Sequence, residues 1–308
     1  MNILVTGGAG FIGSNFALLA ENYGATVTIL DDFSTGNREN LRNFQGRLVE
    51  GSLLSVESVS EAVRGQDAVV HLAALGSVPR SLKDPLSSHA VNVTGTLMLL
   101  EQMRLHGSGR IIYSSSSSVY GLNPARPKSE REWTRPMSPY AVSKLAAEQY
   151  VLAYQQSFGF ESAAFRFFNV FGPGQPAGHD YAAVIPTFIS SMLNGQPVTV
   201  NGDGTQSRDF TYVGTVCDVL WRMVERQGAL TEPVNLAFGT NTTLLSLISK
   251  LEESMGVKAD VRFREERRGD VRHSQADNES LTRVFPGLTP VNLDEGLRRT
   301  IRWFEEFQ

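Results

Sequence analysis

Tyr140 and Lys144 stand four residues apart in Ser138-Pro139-Tyr140-Ala141-Val142-Ser143-Lys144. Pro139 suits the first turn of a helix, where its missing N–H costs nothing, so the spacing puts both side chains on one helical face. A free tyrosine ionises near about 10 and is a weak base at neutral pH. A lysine ammonium beside it favours the phenolate and brings the phenol toward general-base strength. The same spacing suits a surface tyrosine packed on a lysine stem, so the pair needs company to count as chemistry. Gly7-Gly8-Ala9-Gly10-Phe11-Ile12-Gly13 supplies it. The loop follows an apolar run and opens a helical pattern, which aims backbone N–H groups and a positive helix end at a pyrophosphate. Gly7, Gly10 and Gly13 are three apart, unlike the commoner G-x-G-x-x-G. The next apolar run ends Leu30-Asp31-Asp32, eighteen residues past Gly13. A carboxylate there accepts both ribose hydroxyls of adenosine and repels a 2′-phosphate, so NAD is expected rather than NADP.

These groups need a frame. Asn2–Thr6, Thr26–Asp31, Arg47–Glu50, Ala68–Leu72 and Arg110–Ser114 read as buried strands, because their apolar residues run together. Another strand falls near Ser162–Phe167. Gly13–Tyr23, Val56–Arg64 and Val91–His106 read as the helices between strands. The succession implies an α/β fold with a doubly wound parallel sheet. After Asn169 the elements shorten, beginning with the loop Phe171–Gly178, and a smaller second domain is expected there. The five-serine run Ser114–Ser118 has a linker's composition. Its flanks, a strand entering and Val119-Tyr120-Gly121 leaving, place it instead at the carboxyl end of a central strand, where open α/β sheets put their sites.

The 308 residues are 41% hydrophobic and 19% charged, a globular profile that excludes a disordered or fibrous chain. A net charge of −4 argues against nucleic acid as partner. No apolar run is long enough to span a membrane, no leader-like segment precedes the first strand, and Cys217 has no cysteine to pair with, so a cytoplasmic protein is expected. The five histidines (71, 89, 106, 179 and 273) lack metal-ligand spacing, so no metal is expected, and His71 reads as a packed core residue. Arg262, Arg264, Arg267, Arg268 and Arg272 read as a solvated basic face, with Arg267 alone favoured as a diphosphate clamp. Cys217 reads as core.

The chain resembles the extended short-chain dehydrogenase/reductases, and within them the UDP-hexose 4-epimerases, over essentially its whole length. The resemblance rests on Thr6–Gly13, Asp31–Asn37, Ser114–Tyr120, Tyr140–Lys144, Arg166–Asn169 and Ser207–Phe210. His71–Ser81, Tyr181–Pro186 and Gly269–Asp277 resemble the branch acting on UDP-N-acetylhexosamines. It implies a Rossmann-type NAD-binding domain of residues 1–168 with return segments at about 209–245. Residues 169–208 and 246–308 would form a smaller C-terminal α/β domain that binds the nucleotide sugar.

By the same resemblance, NAD would be held by Gly7, Gly10, Phe11, Ile12, Gly13, Asp31, Asp32, Ser34, Thr35, Gly36, Ser52, Leu53, Leu72, Ala73, Ala74, Ser114, Phe167, Tyr140 and Lys144, with Asn92 on the nicotinamide side. Ser52 departs from the aspartate usual in the family, which implies an altered adenine contact. Tyr140 would be the base, Lys144 would hold the ribose, and Ser116 would bind the reacting hydroxyl. The UDP-sugar would meet Gly76, Ser77, Ser116, Ser117, Asn169, Ala183, Val184, Val200, Arg208, Arg267, Asp270 and Ser274. Of these, Asn169, Arg208 and Arg267 match residues that hold the diphosphate, and Ser274 stands where glucose-restricted relatives carry a tyrosine. The implied activity is inversion at C4 of a UDP-hexose through a 4-keto intermediate: UDP-N-acetylglucosamine and its galacto epimer first, the UDP-glucose/UDP-galactose pair beside them. A UDP-uronate 4-epimerase, a dehydratase and a non-catalytic dinucleotide-binding regulator are the alternatives. Dehydratases of this type carry Asp-Glu, and decarboxylating relatives a glutamate, where this chain has Ser117 and Ser118. Relatives pair helices matching about 91–106 and 140–157 across a homodimer.

Overall fold

The continuous apolar runs of the first half fold as buried strands. A computed structural model describes residues 1–177, 182–265 and 272–307. Six strands, β1 (Asn2–Thr6), β2 (Thr26–Asp31), β3 (Arg47–Glu50), β4 (Ala68–His71), β5 (Arg110–Ser116) and β6 (Glu161–Phe167), join Val234–Leu236 in one sheet. Its order is Val234–Leu236, β6, β5, β4, β1, β2, β3, so the winding reverses between β1 and β4. The pairs from β3 to β6 are parallel. An open sheet wound this way has a crevice at the carboxyl ends of the strands where the order reverses. There β1 runs into the glycine loop, and Thr6 lies opposite His71, the last residue of β4.

The helices of this sheet include α1 (Phe11–Asn22), α2 (Val56–Val63), α3 (Val78–Lys83), α4 (Pro85–His89), α5 (Gly95–His106) and α6 (Pro139–Phe158). The start of α6 follows from its sequence: the Ser138 side chain accepts from Ala141 N–H, and Pro139 occupies the first turn. It ends at Gly159 in the left-handed region. Its buried face carries Ala141, Lys144, Ala147, Glu148 and Val151, which sets two ionisable groups among apolar neighbours. The apolar core of this unit includes Leu4, Leu30, Val69, Leu99, Ile111 and Val151.

Two elements differ from the sequence reading. Val91–His106 is not one α-helix, because Ala90–Thr94 winds as a π-helical turn before α5. Thr96 Oγ1, at the start of α5, donates at 2.7 Å to the carbonyl of Asn92 in that turn. β5 runs two residues beyond Ser114, because the serine hydroxyls that follow find partners: Ser115 Oγ donates to Glu148, and Ser116 Oγ caps the next turn.

The chain divides into two compact units, residues 1–123, 133–167 and 217–234 in the first and 124–132, 168–216 and 235–308 in the second. The return to the first unit is shorter than the expected 209–245. Residues 124–132 fall in the second because Lys128 N–H binds the Gln275 carbonyl and Asp277 N–H binds the Lys128 carbonyl. This unit holds short strand pairs, Val198–Asn201 with Val261–Arg264 and Ser207–Arg208 with Thr242–Thr243, and helices α7 (Val184–Leu193), Leu244–Met255 and Leu293–Phe307. Among the described residues no helix is long and apolar enough to cross a membrane.

Candidate active site

The glycine loop is shaped by what cannot fit. Gly7 has φ +70°, and a Cβ there would lie 2.7 Å from the Ala73 backbone; one on Gly13 would collide with the Gly7 carbonyl. Gly10 caps α1 without a side-chain hydrogen bond, and Phe11 and Ile12 open the helix, so its first N–H groups are left for an incoming anion. Asp31 closes the other side: its Oδ2 accepts from Ala9 N–H at 2.9 Å and its Oδ1 from Phe33 N–H at 2.8 Å. Burial pushes the Asp31 carboxyl up, and those two N–H groups oppose it. Each oxygen retains a lone pair, so both ribose hydroxyls can be accommodated. The uncapped helix end, the tight cradle and Asp31 together fit the pyrophosphate and adenosine ribose of a dinucleotide. Asp32 is exposed and binds Ser34 N–H, with Thr35 and Gly36 following in the same loop. Ser52 turns its hydroxyl to Leu54 N–H, and Leu53 is buried beside it.

At the β1–β4 reversal a buried hydrogen-bond chain runs away from the loop. Thr96 gives its hydroxyl proton to the Asn92 carbonyl, so its oxygen accepts from His71 Nε2 at 2.9 Å. His71 Nδ1 is then the acceptor for the Thr6 hydroxyl at 2.6 Å, and Thr6 accepts from Ala73 N–H. That order of donors makes His71 neutral with the proton on Nε2. Its pKa agrees, pushed down to about 3 by burial and then by the Lys144 charge. Leu72 N–H binds the Thr6 carbonyl, and the Ala74 carbonyl receives Gly76 N–H. The Asn92 side chain brackets the Leu75 backbone and donates to Ser143 Oγ, which itself donates to the Tyr140 carbonyl. Ser77, read as a pocket wall, spends its hydroxyl on capping α3 through Arg80 N–H.

Ser114, Ser115 and Ser116 end β5, with Ser116 opposite Phe167. Ser114 Oγ donates to the His71 carbonyl. Ser116 Oγ accepts from Ser118 N–H at 3.2 Å and from Ser118 Oγ at 2.9 Å. Ser117 begins the same turn. Burial pushes Tyr140 up, and the nearby Ser116 hydroxyl opposes it. Lys144 is too deeply buried to serve as an ordinary cation: its pKa is pushed down to about 7 by burial, with the Glu148 charge opposing. Its Nζ lies 4.6 Å from the centroid of the Tyr113 ring. Glu148 is itself buried, accepting from Arg166 Nη2 at 2.8 Å, from Arg166 Nε and from Ser115. Sequence reasoning missed Glu148, although its place one turn beyond Lys144 on the same face was a signal.

The second unit contains a cavity of about 280 Å³ lined by Asn169, Ala183, Val184, Arg208, Gln206 and Phe210, among others. Four expected substrate-binding residues therefore meet there. Asn169 Nδ2 donates to the Asp209 carbonyl, and Arg208 Nη1 to the carbonyls of Ser207 and Arg272. Val200 is wholly buried, while its strand neighbours Thr199 and Asn201 line the cavity. The alternation in Val198-Thr199-Val200-Asn201 carried that signal, since successive side chains point to opposite faces. Ser274 is half-buried and pairs its N–H with the Ser207 carbonyl; it is not among the cavity residues. Arg267 and Asp270 lie outside the described residues.

Residues 3–237 match the family described as "NAD dependent epimerase/dehydratase family". The chain is 35% identical over 312 residues to the UDP-glucose 4-epimerase of Mycolicibacterium smegmatis, which covers 99% of this chain and 98% of the relative. Among solved structures, the UDP-N-acetylglucosamine 4-epimerase from Methanobrevibacter ruminantium M1, in complex with UDP-N-acetylmuramic acid, is 37% identical, with a TM-score of 0.94 over 100% of this chain and 99% of that one. The UDP-glucose 4-epimerase of Thermus thermophilus, in complex with NAD, is 33% identical, with a TM-score of 0.92 over 100% of both chains.

Proposed function

The chain belongs to the NAD dependent epimerase/dehydratase family, and from that premise we propose that it inverts C4 of a UDP-hexose through a 4-keto intermediate. The carrying observation is that hydroxyls, those of Ser117 and Ser118, occupy the turn after Ser116 where an elimination would need carboxylates. Bound NAD supplies the oxidation and re-reduction at C4. Tyr140 Oη takes the proton from the 4-hydroxyl and returns it, with Ser116 binding the reacting hydroxyl. Lys144 binds the nicotinamide ribose. Asn169 and Arg208 hold the nucleotide diphosphate end, and Arg267 is assigned there by resemblance alone. Ser117 and Ser118 bring no acid or base strong enough to expel water at neutral pH, which sets the dehydratase reading second.

For the sugar, the acetylated pair is favoured because the small Ser274 leaves room for a 2-acetamido group. The solved relative named for UDP-N-acetylglucosamine supports the same choice. A homodimer through α5 and α6 is also part of this reading: Leu105, Val142, Tyr150 and Phe158 on these helices are exposed apolar residues.

The test is incubation with UDP-N-acetylglucosamine, UDP-glucose and UDP-glucuronate without added cofactor, resolving 4-epimers by chromatography. Epimers should form without accumulation of NADH, and Tyr140→Phe should lower turnover by about 10² to 10⁴-fold while NAD stays bound. Ser274→Tyr should block the acetylated sugar and spare UDP-glucose. A 6-deoxy-4-keto product, stoichiometric NADH, or unchanged turnover in Tyr140→Phe overturns the reading.

A further inference from the structure

His71 is wholly buried at the carboxyl end of β4, where a ring that only filled space would leave its polar nitrogens unpaired. Both nitrogens have partners. The Thr96 proton is committed to the Asn92 carbonyl at 2.7 Å, so Nε2 is the donor to Thr96 at 2.9 Å. Nδ1 of the neutral ring then accepts the Thr6 hydroxyl at 2.6 Å. The Thr6 oxygen keeps its lone pairs for other donors, and one of them takes Ala73 N–H at 3.3 Å. With the proton on Nδ1 instead, the ring and Ala73 would both donate to Thr6, and the Thr6 proton would lose its acceptor. Burial and the Lys144 charge keep the ring from taking a second proton.

These bonds lie where the glycine loop begins. Thr6 is the last residue of β1, and Gly7 follows it. Gly7 packs so closely on the segment after β4 that a Cβ would lie 2.7 Å from both Cα and N of Ala73. Leu72 N–H binds the Thr6 carbonyl at 3.2 Å. One backbone bond and one side-chain bond from Thr6 thus hold Leu72 and Ala73 against the loop that faces the pyrophosphate. The His71 carbonyl accepts from Ser114 Oγ at 3.1 Å, so its backbone is tied to β5 while its ring spans Thr6 and Thr96.

We propose that His71 is a positioning residue for NAD: its neutral ring, protonated on Nε2, accepts the Thr6 hydroxyl and so turns the Thr6 oxygen to hold Ala73 against the glycine loop. It acts through Thr6 and is not assigned contact with the cofactor. Without the acceptor, the Thr6 proton seeks another partner, its lone pair leaves Ala73 N–H, and the cradle loosens at Gly7.

The test uses protein loaded with NAD. In ¹⁵N-histidine-labelled protein at neutral pH, the His71 ring, assigned with His71→Asn, should show a protonated Nε2 and an unprotonated Nδ1. The second readout is the rate at which bound NAD exchanges with excess isotope-labelled NAD, at a temperature where circular dichroism shows each variant folded. His71→Leu should speed release by about tenfold, the effect of one bond left unmade in the cradle. His71→Asn puts an amide oxygen near the place of Nδ1 and should bring release within about threefold of the unmodified protein. His71→Gln, whose amide reaches toward Thr96, should not restore it. Thr6→Val removes the hydroxyl and keeps the shape, and should release NAD as fast as His71→Leu. Adding His71→Leu to Thr6→Val should then change release by less than about twofold, because the two act through one bond. A role in stability alone would lower the urea midpoint without that coupling and without rescue by asparagine. If His71→Leu does not fold, Thr6→Val and the ring spectrum decide. A protonated Nδ1, unchanged release in Thr6→Val, or fully additive effects of the two changes overturns the proposal. Both readouts report the ring and the cofactor alone, so they stand apart from the choice of sugar and from the role of Tyr140.

Discussion

Replacing Lys144 with methionine should make the protein more stable, and by an amount that depends on pH. The ammonium is 3% exposed, on the inner face of α6. Its pKa falls from an ordinary 10.5 to about 7 because burial penalises the charge more than Glu148 compensates. At about 1.4 kcal/mol per pH unit, that drop corresponds to roughly 5 kcal/mol of destabilisation when the lysine is fully charged. The unfolded chain binds the extra proton between the two pKa values, so stability rises with pH across that window. The penalty is complete below about pH 7, still about 2 kcal/mol near pH 9, and gone above the unfolded value. Lys144→Met keeps the stem and removes the charge. Urea unfolding of the cofactor-free protein should show the variant ahead by about 5 kcal/mol near pH 6 and by about 3 kcal/mol less near pH 9. Taking the difference between two proteins cancels the titrating groups that do not feel the Lys144 charge. A gap that does not change between those pH values would mean that Glu148 fully compensates the ammonium, and the desolvation argument would fail. Catalysis should be lost in the same variant, so the position trades stability for function.

Other consequences can be checked separately. Arg166→Met leaves Glu148 buried without its cation and should cost about 3–5 kcal/mol in urea unfolding, and adding Glu148→Met should recover most of it; a double variant as unstable as the two losses summed would refute the coupling. Asp31→Asn keeps the side-chain shape and one acceptor while removing the charge, so calorimetry should show NADP gaining on NAD, and unchanged discrimination would count against the placement of the ribose. Gly13→Ala sets a Cβ against the Gly7 carbonyl and should abolish bound NAD with the fold retained, as read by circular dichroism and by cofactor released on denaturation.

Much of the fold was legible along the chain because its signals are local. Apolar runs such as Ala68–His71 mark strands buried on both faces, and Ser138-Pro139 marks the start of α6, whichever elements end up beside them. The glycine loop, the acid at the end of β2 and the Tyr140–Lys144 spacing were legible for the same reason, since each is a short-range geometric requirement. The five serines were placed at a strand end from their flanks, and β5 runs into them.

What only the tertiary structure decided depends on partners distant in sequence and on the loss of water. The neutral tautomer of His71 is set by Thr6 and Thr96, which lie 65 and 25 residues away. The π-helical turn that holds Asn92 depends on no periodicity that a sequence displays. The spacing of Tyr140 and Lys144 predicted a cation that lowers the phenol's pKa. Packing strips water from both groups, which pushes the phenol up and the lysine down toward neutrality. Spacing determines which side chains share a face; desolvation, which is a property of the whole packed environment, determines what charge they carry there.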